Sequence, residues 1–153
     1  MGPKIELVGI KGEFEIKLYG PDGILKAYRK ECNLVVTTGF DEVCDCMGDY
    51  AVRPTPFRYC GVGSGTESPA AGDTILGSEI SRVAGVYVHS AGSSSWYNDA
   101  TFLAGIGTGE IHEAGIFNNG TVDRGTMLSR QTFAVINKES NDVLTVRWTY
   151  SLT

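Results

Sequence analysis

The stretch 143-VLTVRWTYSL-152 alternates along its whole length: Leu144, Val146, Trp148, Tyr150 and Leu152 fall on one face, and Thr145, Arg147, Thr149 and Ser151 on the other. A sustained period of two marks an antiparallel strand with one face on a core and one in water. The same pattern recurs from Glu13 to Tyr19, where Phe14, Ile16 and Leu18 oppose Glu13, Glu15 and Lys17. Gly20-Pro21-Asp22-Gly23 follows as a turn, with proline pre-setting φ and glycine taking a positive one. Ile24 to Glu31 then reads as the return arm of a hairpin, its exposed side carrying Lys26, Arg29 and Lys30. Phe57–Cys60, Val83–Val88, Trp96–Leu103, Ile111–Phe117 (interrupted at Gly115) and Met127–Ile136 read as further strands, with Asn119-Gly120 and 137–142 as turns. About eight short strands with no alternating helices predict a mainly β chain: a single antiparallel β-sandwich, jelly-roll-like.

One helix is expected near residues 39–47. Phe40, Val43, Cys44 and Met47 recur at helical spacing, Asp41, Glu42 and Asp45 fill the other side, and a threonine cap and Gly48 bound it. Acids in its first turn would suit the helix dipole. Ahead of the sandwich domain at 13–153, residues 1–12 carry weakly alternating apolar positions, Ile5, Leu7 and Ile10, punctuated by Gly9 and Gly12. They read either as an extended arm or edge strand pairing with another subunit, or as a frayed terminus.

The chain has 153 residues, which suits one domain that buries about 68–70% of its unfolded surface without needing disulfides or metals. A net charge of −5 with no basic run provides no electrostatic footprint for nucleic acid. No apolar run reaches the roughly 18 residues that span a bilayer, so no membrane partner is expected. Met1 to Glu6 has no apolar core of a signal peptide, and Pro3 and Glu6 spoil a myristoylation reading of Gly2, so an intracellular origin is expected. Four cysteines, Cys32, Cys44, Cys46 and Cys60, allow three disulfide pairings or a metal site. Cys44-x-Cys46 lacks the C-x2-C spacing of zinc ligands, and the expectation is buried, reduced thiols acting as small hydrophobes.

The stretch 59-YCGVGSGTESPAAGDTILGSEISR-82 invites a ligand reading. A Walker loop needs Lys-Ser/Thr after its second glycine, and the dinucleotide fingerprint needs G-x-G-x-x-G; neither is present. It is read instead as a long surface loop. Asp73 caps the turn at Thr74, while Glu79 and Arg82, three apart, form a surface ion pair on one helical turn. Gly63, Gly65, Glu67 and Pro69 are the expected contacts with neighbouring subunits. Glu67, Asp73 and Glu79 also raise a glycosidase-like carboxylate pair, for which local wiring is the preferred reading. His112 should share a face with Glu110 while Glu113 points away, and with His89 it is read as a polar surface position. There is no complete G-x-S-x-G elbow. No catalytic residue, metal or cofactor is expected.

Several blocks recur in a familiar order: Asn33 to Phe40 (NLVVTTGF), Tyr59 with Gly61-Val62-Gly63-Ser64-Gly65, and Asp73-Thr74 with Leu76, Glu79 and Arg82. Ile111, Glu113 to Phe117, then Arg130, Phe133 and Lys138 before Leu144, Val146 and Trp148 complete it. Over residues 33–150 this order resembles small structural proteins of tailed bacteriophages. The resemblance implies a non-enzymatic role in the virion, after synthesis in the host bacterial cytoplasm. Foremost is a head-decoration (cement) protein, homo-oligomeric, that binds the major capsid protein or neighbouring virion proteins on the outer head surface and bridges capsomers. A tail, fibre or baseplate component is the alternative. From another class stands a carbohydrate-binding module, since jelly rolls with residues such as Trp96 and Tyr97 beside carboxylates host sugars; that is fold analogy.

Overall fold

The alternation of 143–152 is realised as β10 (Val143–Leu152), the central strand of a sheet, with Leu144, Val146, Trp148 and Tyr150 buried. The structure is a computed structural model describing residues 9–49, 51 and 55–153; Ile5 and Leu7 lie outside them. On one side β10 pairs antiparallel with β1 (Ile10–Tyr19), from Ile10 opposite Leu152 to Tyr19 opposite Val143. On the other it pairs with β7 (Ser95–Phe102), with Trp148 opposite Asn98. β2 (Leu25–Cys32) and β6 (Val86–His89) form the two edges, so the first sheet runs β2-β1-β10-β7-β6. The second runs β3-β9-β8-β4-β5, from β3 (Leu34–Val35), β9 (Met127–Lys138), β8 (Gly109–Phe117), β4 (Tyr59–Gly63) and β5 (Glu79–Ala84). The two antiparallel sheets form the expected β-sandwich, with β1 on β10, β3 on β9, β4 on β8 and β6 on β7 nested like a rolled-up hairpin.

Ten strands appear where eight were expected because two of them change sheets. β2 leaves the first sheet at Asn33 to become β3 in the second, and β5 leaves the second at Gly85 to become β6 in the first. Such corner strands tie the two layers together along both sides. Each corner is a close approach. The Asn33 amide lies against the Cα of Gly12, and the Asn98 amide against that of Gly85, where any Cβ would collide.

Between the sheets lies the main core. Phe14, Ile16, Phe102, Val146 and Trp148 come from the first sheet, and Cys60, Val62, Ile116, Phe133 and Ile136 from the second. Phe14 stacks on Phe133 with centroids 5.2 Å apart and meets Trp148 at 4.8 Å. Each such side chain contributes about 1.5–3 kcal/mol through burial. Trp148 Nε1 donates to Cys60 Sγ at 3.3 Å, and burial pushes the Cys60 thiol up to about 12.

Two expectations require correction. The helix α1 (Thr37–Gly48) starts earlier than its apolar stripe implied. Its N-cap is Val36, without a side-chain cap, and Asp41 and Glu42 fall beyond the first turn. Phe40, Cys44 and Met47 are exposed, Met47 by 85%. The helix meets the sheet through Gly39, where a Cβ would stand 2.6 Å from the Leu128 carbonyl oxygen. This close approach leaves Phe40, Cys44 and Met47 in water, while Val43 of the expected stripe, partly buried, packs against the core. For the same reason Cys44 and Cys46 are exposed, as is Cys32 at the end of an edge strand; Cys60 alone of the four is buried.

Candidate functional site

The glycine-rich stretch paves the outer face of the second sheet. Gly61 and Gly63 on β4 leave room above the backbone in which charged side chains lie flat, and Gly115 on β8 leaves room for Leu76, Phe117 and Met127. A Cβ on Gly61 would stand 2.6 Å from Glu79 Oε1, and one on Gly63 would stand 2.6 Å from Glu113 Oε1. The stretch does cradle an anion, but the anion is a carboxylate of the same chain.

That carboxylate is Glu113, fully buried on β8. Its Oε1 accepts the backbone N–H of Gly65 at 2.9 Å and of Ser78 at 2.8 Å; its Oε2 accepts that of Gly77 at 3.0 Å and Nε of Arg130 at 3.0 Å. Arg130, from β9, donates through Nη1 to Asp73 Oδ2 at 2.9 Å and through Nη2 to the Glu67 carbonyl at 3.0 Å. Asp73 Oδ2 also accepts the N–H of Ala70 at 2.9 Å. Burial opposes the charge on Glu113, but the N–H groups of Ser78, Gly77 and Gly65 together with Arg130 outweigh it and hold the carboxyl below the ordinary range. Residues 64–78 are therefore fastened to the sheet by two side chains, Glu113 and Arg130. Leu76 adds an apolar fastening, buried with Val36, Phe117 and Met127 under the partly buried Tyr59.

A second system sits beside it. Arg82 Nε donates to Glu79 Oε1 at 2.6 Å and Nη2 to Oε2 at 2.7 Å. Its Nη1 donates to the Asn119 carbonyl at 2.8 Å and the Arg124 carbonyl at 2.7 Å, and the guanidinium lies 3.5 Å from the centre of the Phe117 ring. Residues three apart on a regular strand face opposite ways. Here Val62 faces Ser81 and Gly63 faces Glu79, so Ile80 is an extra residue and the bulge turns both charges to one face. The expected surface ion pair on a helical turn is thus a buried ion pair on a bulged strand, its side chains 0% and 1% exposed.

The predicted residues separate accordingly. Asp73 belongs to the Glu113 system, and Glu79 with Arg82 to the other. Gly63 and Gly65 lie beneath Glu113, while the side chain of Glu67 is exposed and Pro69 is half-buried on the loop's rim. Ile10 pairs with Leu152 as the first rung of β1. Glu113 and Arg130 are the centre that the spacing did not single out; the available signal was a charge embedded in each of two apolar runs, 111–117 and 127–136. Chemically the arrangement holds a loop: both carboxylate oxygens of Glu113 already accept two donors each.

Trp96 and Tyr97 face opposite sides of β7. Trp96 stacks on Tyr150 at 4.7 Å and approaches Tyr87 at 5.6 Å, whereas the Tyr97 ring lies under Arg147 at 4.1 Å. His89 Nε2 meets the Ser93 carbonyl at 2.9 Å, and His112 is half-buried. Among the described residues no group of histidine, cysteine or carboxylate side chains is placed to hold a metal, and no helix is long and apolar enough to cross a membrane. No family model, curated protein or solved structure matches the chain.

Proposed function

We propose that the protein is a non-enzymatic assembly component, specifically a structural protein of a tailed bacteriophage particle. Within that class the first reading is a head-decoration protein that acts as a homo-oligomer on the major capsid protein, and the second a tail, fibre or baseplate component. The observation that carries the assembly reading is how the chain uses its most unusual stretch. Glu113 and Arg130, on the outer face of the second sheet, hold residues 64–78 over them, so that Glu67, Pro69 and Ile75 form a braced rim. A braced, side-chain-bearing rim suits repeated contact with a rigid neighbour, because little ordering entropy is lost on docking.

The test is to add the purified protein to expanded phage heads and follow co-sedimentation and head melting. Binding with a raised melting temperature is expected, with binding weakened by Pro69→Asp on the rim. Co-purification with tails and no effect on heads would move the assignment to the second reading. To test the N-terminal arm, the truncation should stop at residue 8, because Ile10 to Gly12 are rungs of β1. Equal binding by that truncated chain would remove the arm from the interface.

The carbohydrate-binding reading is favoured by one feature, the aromatic step from Tyr87 to Trp96, rather than by Trp96 with Tyr97. A glycan array without hits, or binding unaffected by Tyr87→Ala and Trp96→Ala, would end it.

A further inference from the structure

The edge strands are not equally protected. β3 is two residues long and runs almost directly into α1. β2 carries Lys26, Arg29, Lys30 and Glu31, and it reaches β9 through Arg29 Nη2 on the Val135 carbonyl at 3.3 Å and Gln131 Nε2 on Glu31 at 2.8 Å. β5 holds its ion pair against the sheet. Charge, shortness and side-chain cover are the usual devices that stop an edge from pairing with another chain. β6 is short but carries neither of the other two. Val86-Tyr87-Val88-His89 contains no carboxylate or ammonium, and Val86 and Tyr87 are 65% and 57% exposed.

Geometry opens this edge. The β4–β5 ladder continues one step to Gly85, whose N–H donates to the Arg58 carbonyl at 2.6 Å. Beyond it β6 departs to pair with β7, and among the described residues its other edge pairs with no strand. The space left between the diverging chains is a groove of about 550 Å³ lined by Pro56, Phe57, Arg58, Val86 and Tyr87. Among the described residues its lining is mostly apolar, with Arg58 as its cation. Unlike Arg82, Arg130 and Arg147, Arg58 makes no ion pair or side-chain hydrogen bond among the described residues.

We infer that the free edge of β6 accepts an extended acidic peptide segment as a further strand of the first sheet, seating an apolar side chain against Phe57 and Tyr87 and a carboxylate on Arg58. A row of unpaired backbone donors and acceptors is complemented in full only by another extended backbone, and the groove beside it reads alternate side chains. Four residues offer few ladder bonds, so the anchor in the groove has to supply much of the selectivity. The net charge of −5 gives no long-range attraction for an acidic ligand, so selection falls to the exposed Arg58 guanidinium at close range. The inference goes beyond the virion reading and does not depend on which particle, if any, the protein joins.

The test uses the whole protein and three fluorescein-labelled hexapeptides: Thr-Val-Glu-Val-Thr-Val, the same with lysine for glutamate, and the same with proline for the central valine. Anisotropy measures affinity, and hydrogen exchange locates the site. The glutamate peptide is expected to bind best and to slow exchange at residues 86–89, and the proline peptide to bind at least about tenfold more weakly because it breaks the ladder. Arg58→Glu, at an exposed position, should keep the melting temperature, weaken the glutamate peptide about tenfold and favour the lysine peptide. Val86→Lys should weaken all three by charging the edge. No binding, equal binding of the glutamate and proline peptides, or protection away from 86–89 would overturn the inference. So would protection of 86–89 that rises with protein concentration alone, since a second copy would then be the occupant.

Discussion

The two sheets carry the same three-part device on their outer faces. On the first, Arg147 grips Asp99 with both bonds at 2.7 Å and lies 4.1 Å over Tyr97. On the second, Arg82 grips Glu79 at 2.6 and 2.7 Å and lies 3.5 Å over Phe117. The geometry is nearly shared, but the surroundings are not. Arg147 and Asp99 are 47% and 40% exposed, among Glu15, Lys17 and the threonines of a solvated face, while Arg82 and Glu79 are all but sealed. Glycine makes the difference. Side chains floor the first face and lift its ion pair into water, whereas Gly61 and Gly63 let charges sink onto the second and loops close over them. An exposed pair contributes about 0–1 kcal/mol, but breaking a buried one strands a charge and costs about 3–5 kcal/mol.

The sharpest way to break this comparison is Glu113→Ala, which leaves Arg130 and three backbone donors without their carboxylate. A loss of about 3–5 kcal/mol is expected, a fall in melting temperature of roughly 6–20 °C, with faster exchange at Gly65, Gly77 and Ser78. A shift no larger than that of Asp99→Ala would show that burial adds nothing. The same carboxylate makes the covered face acid-sensitive. Its folded pKa lies below the ordinary 4.5, so its stabilisation is complete above that value and is lost as pH falls through the folded one. Between pH 7 and 3 the native protein should lose more melting temperature than Glu113→Gln does. Gly63→Ala tests the floor itself: its Cβ would collide with the Ser78 carbonyl and crowd Glu113, for an expected cost of about 1–3 kcal/mol in denaturant unfolding. Smallest of all, Asp99→Asn on the open face should change stability by about 0.2–1 kcal/mol, less in high salt.

The first sheet was legible because its rule is periodic. Strands β1 and β10 alternate with one face dry and one wet, and each residue declares its side. Where residues 64–78 cover it the second sheet is buried on both faces, so β8 reads as the mixed run GEIHEAGIF and alternation cannot separate core from cover. Spacing groups Asp73, Glu79 and Arg82 as one local wiring, whereas Asp73 joins Arg130 and only Glu79 and Arg82 pair, in a form the spacing does not imply. A spacing of three signals a helical turn unless a bulge intervenes, and the bulge at Ile80 answers to Gly63 on a neighbouring strand, not to local sequence. Glu113 was hidden by distance: the backbone donors it satisfies lie 35 to 48 residues earlier in the chain. Helix α1 was placed well but faced wrongly, because periodicity reports where apolar side chains stand and not whether the partner surface reaches them. Here the closest contact is Gly39, which has no side chain to count, and of the apolar stripe Val43 reaches the core while Phe40, Cys44 and Met47 do not.

The meeting of β1 and β10 also bears on how the chain folds. Gly9 and Thr153 exchange both backbone bonds, N–H to carbonyl at 2.8 and 2.9 Å. The central ladder of the first sheet thus joins the two most distant described parts of the sequence, and its loop-closure entropy must be met before its bonds reward it. Local hairpins such as β1–β2 and β8–β9 can form early, while the β1–β10 seam waits for nearly the whole chain. Once made, the seam lies under neighbours on both sides and becomes the part least able to reopen alone. A break at the Gly20–Gly23 turn with the two ends joined would leave the contacts intact and turn the latest step of folding into one of the earliest.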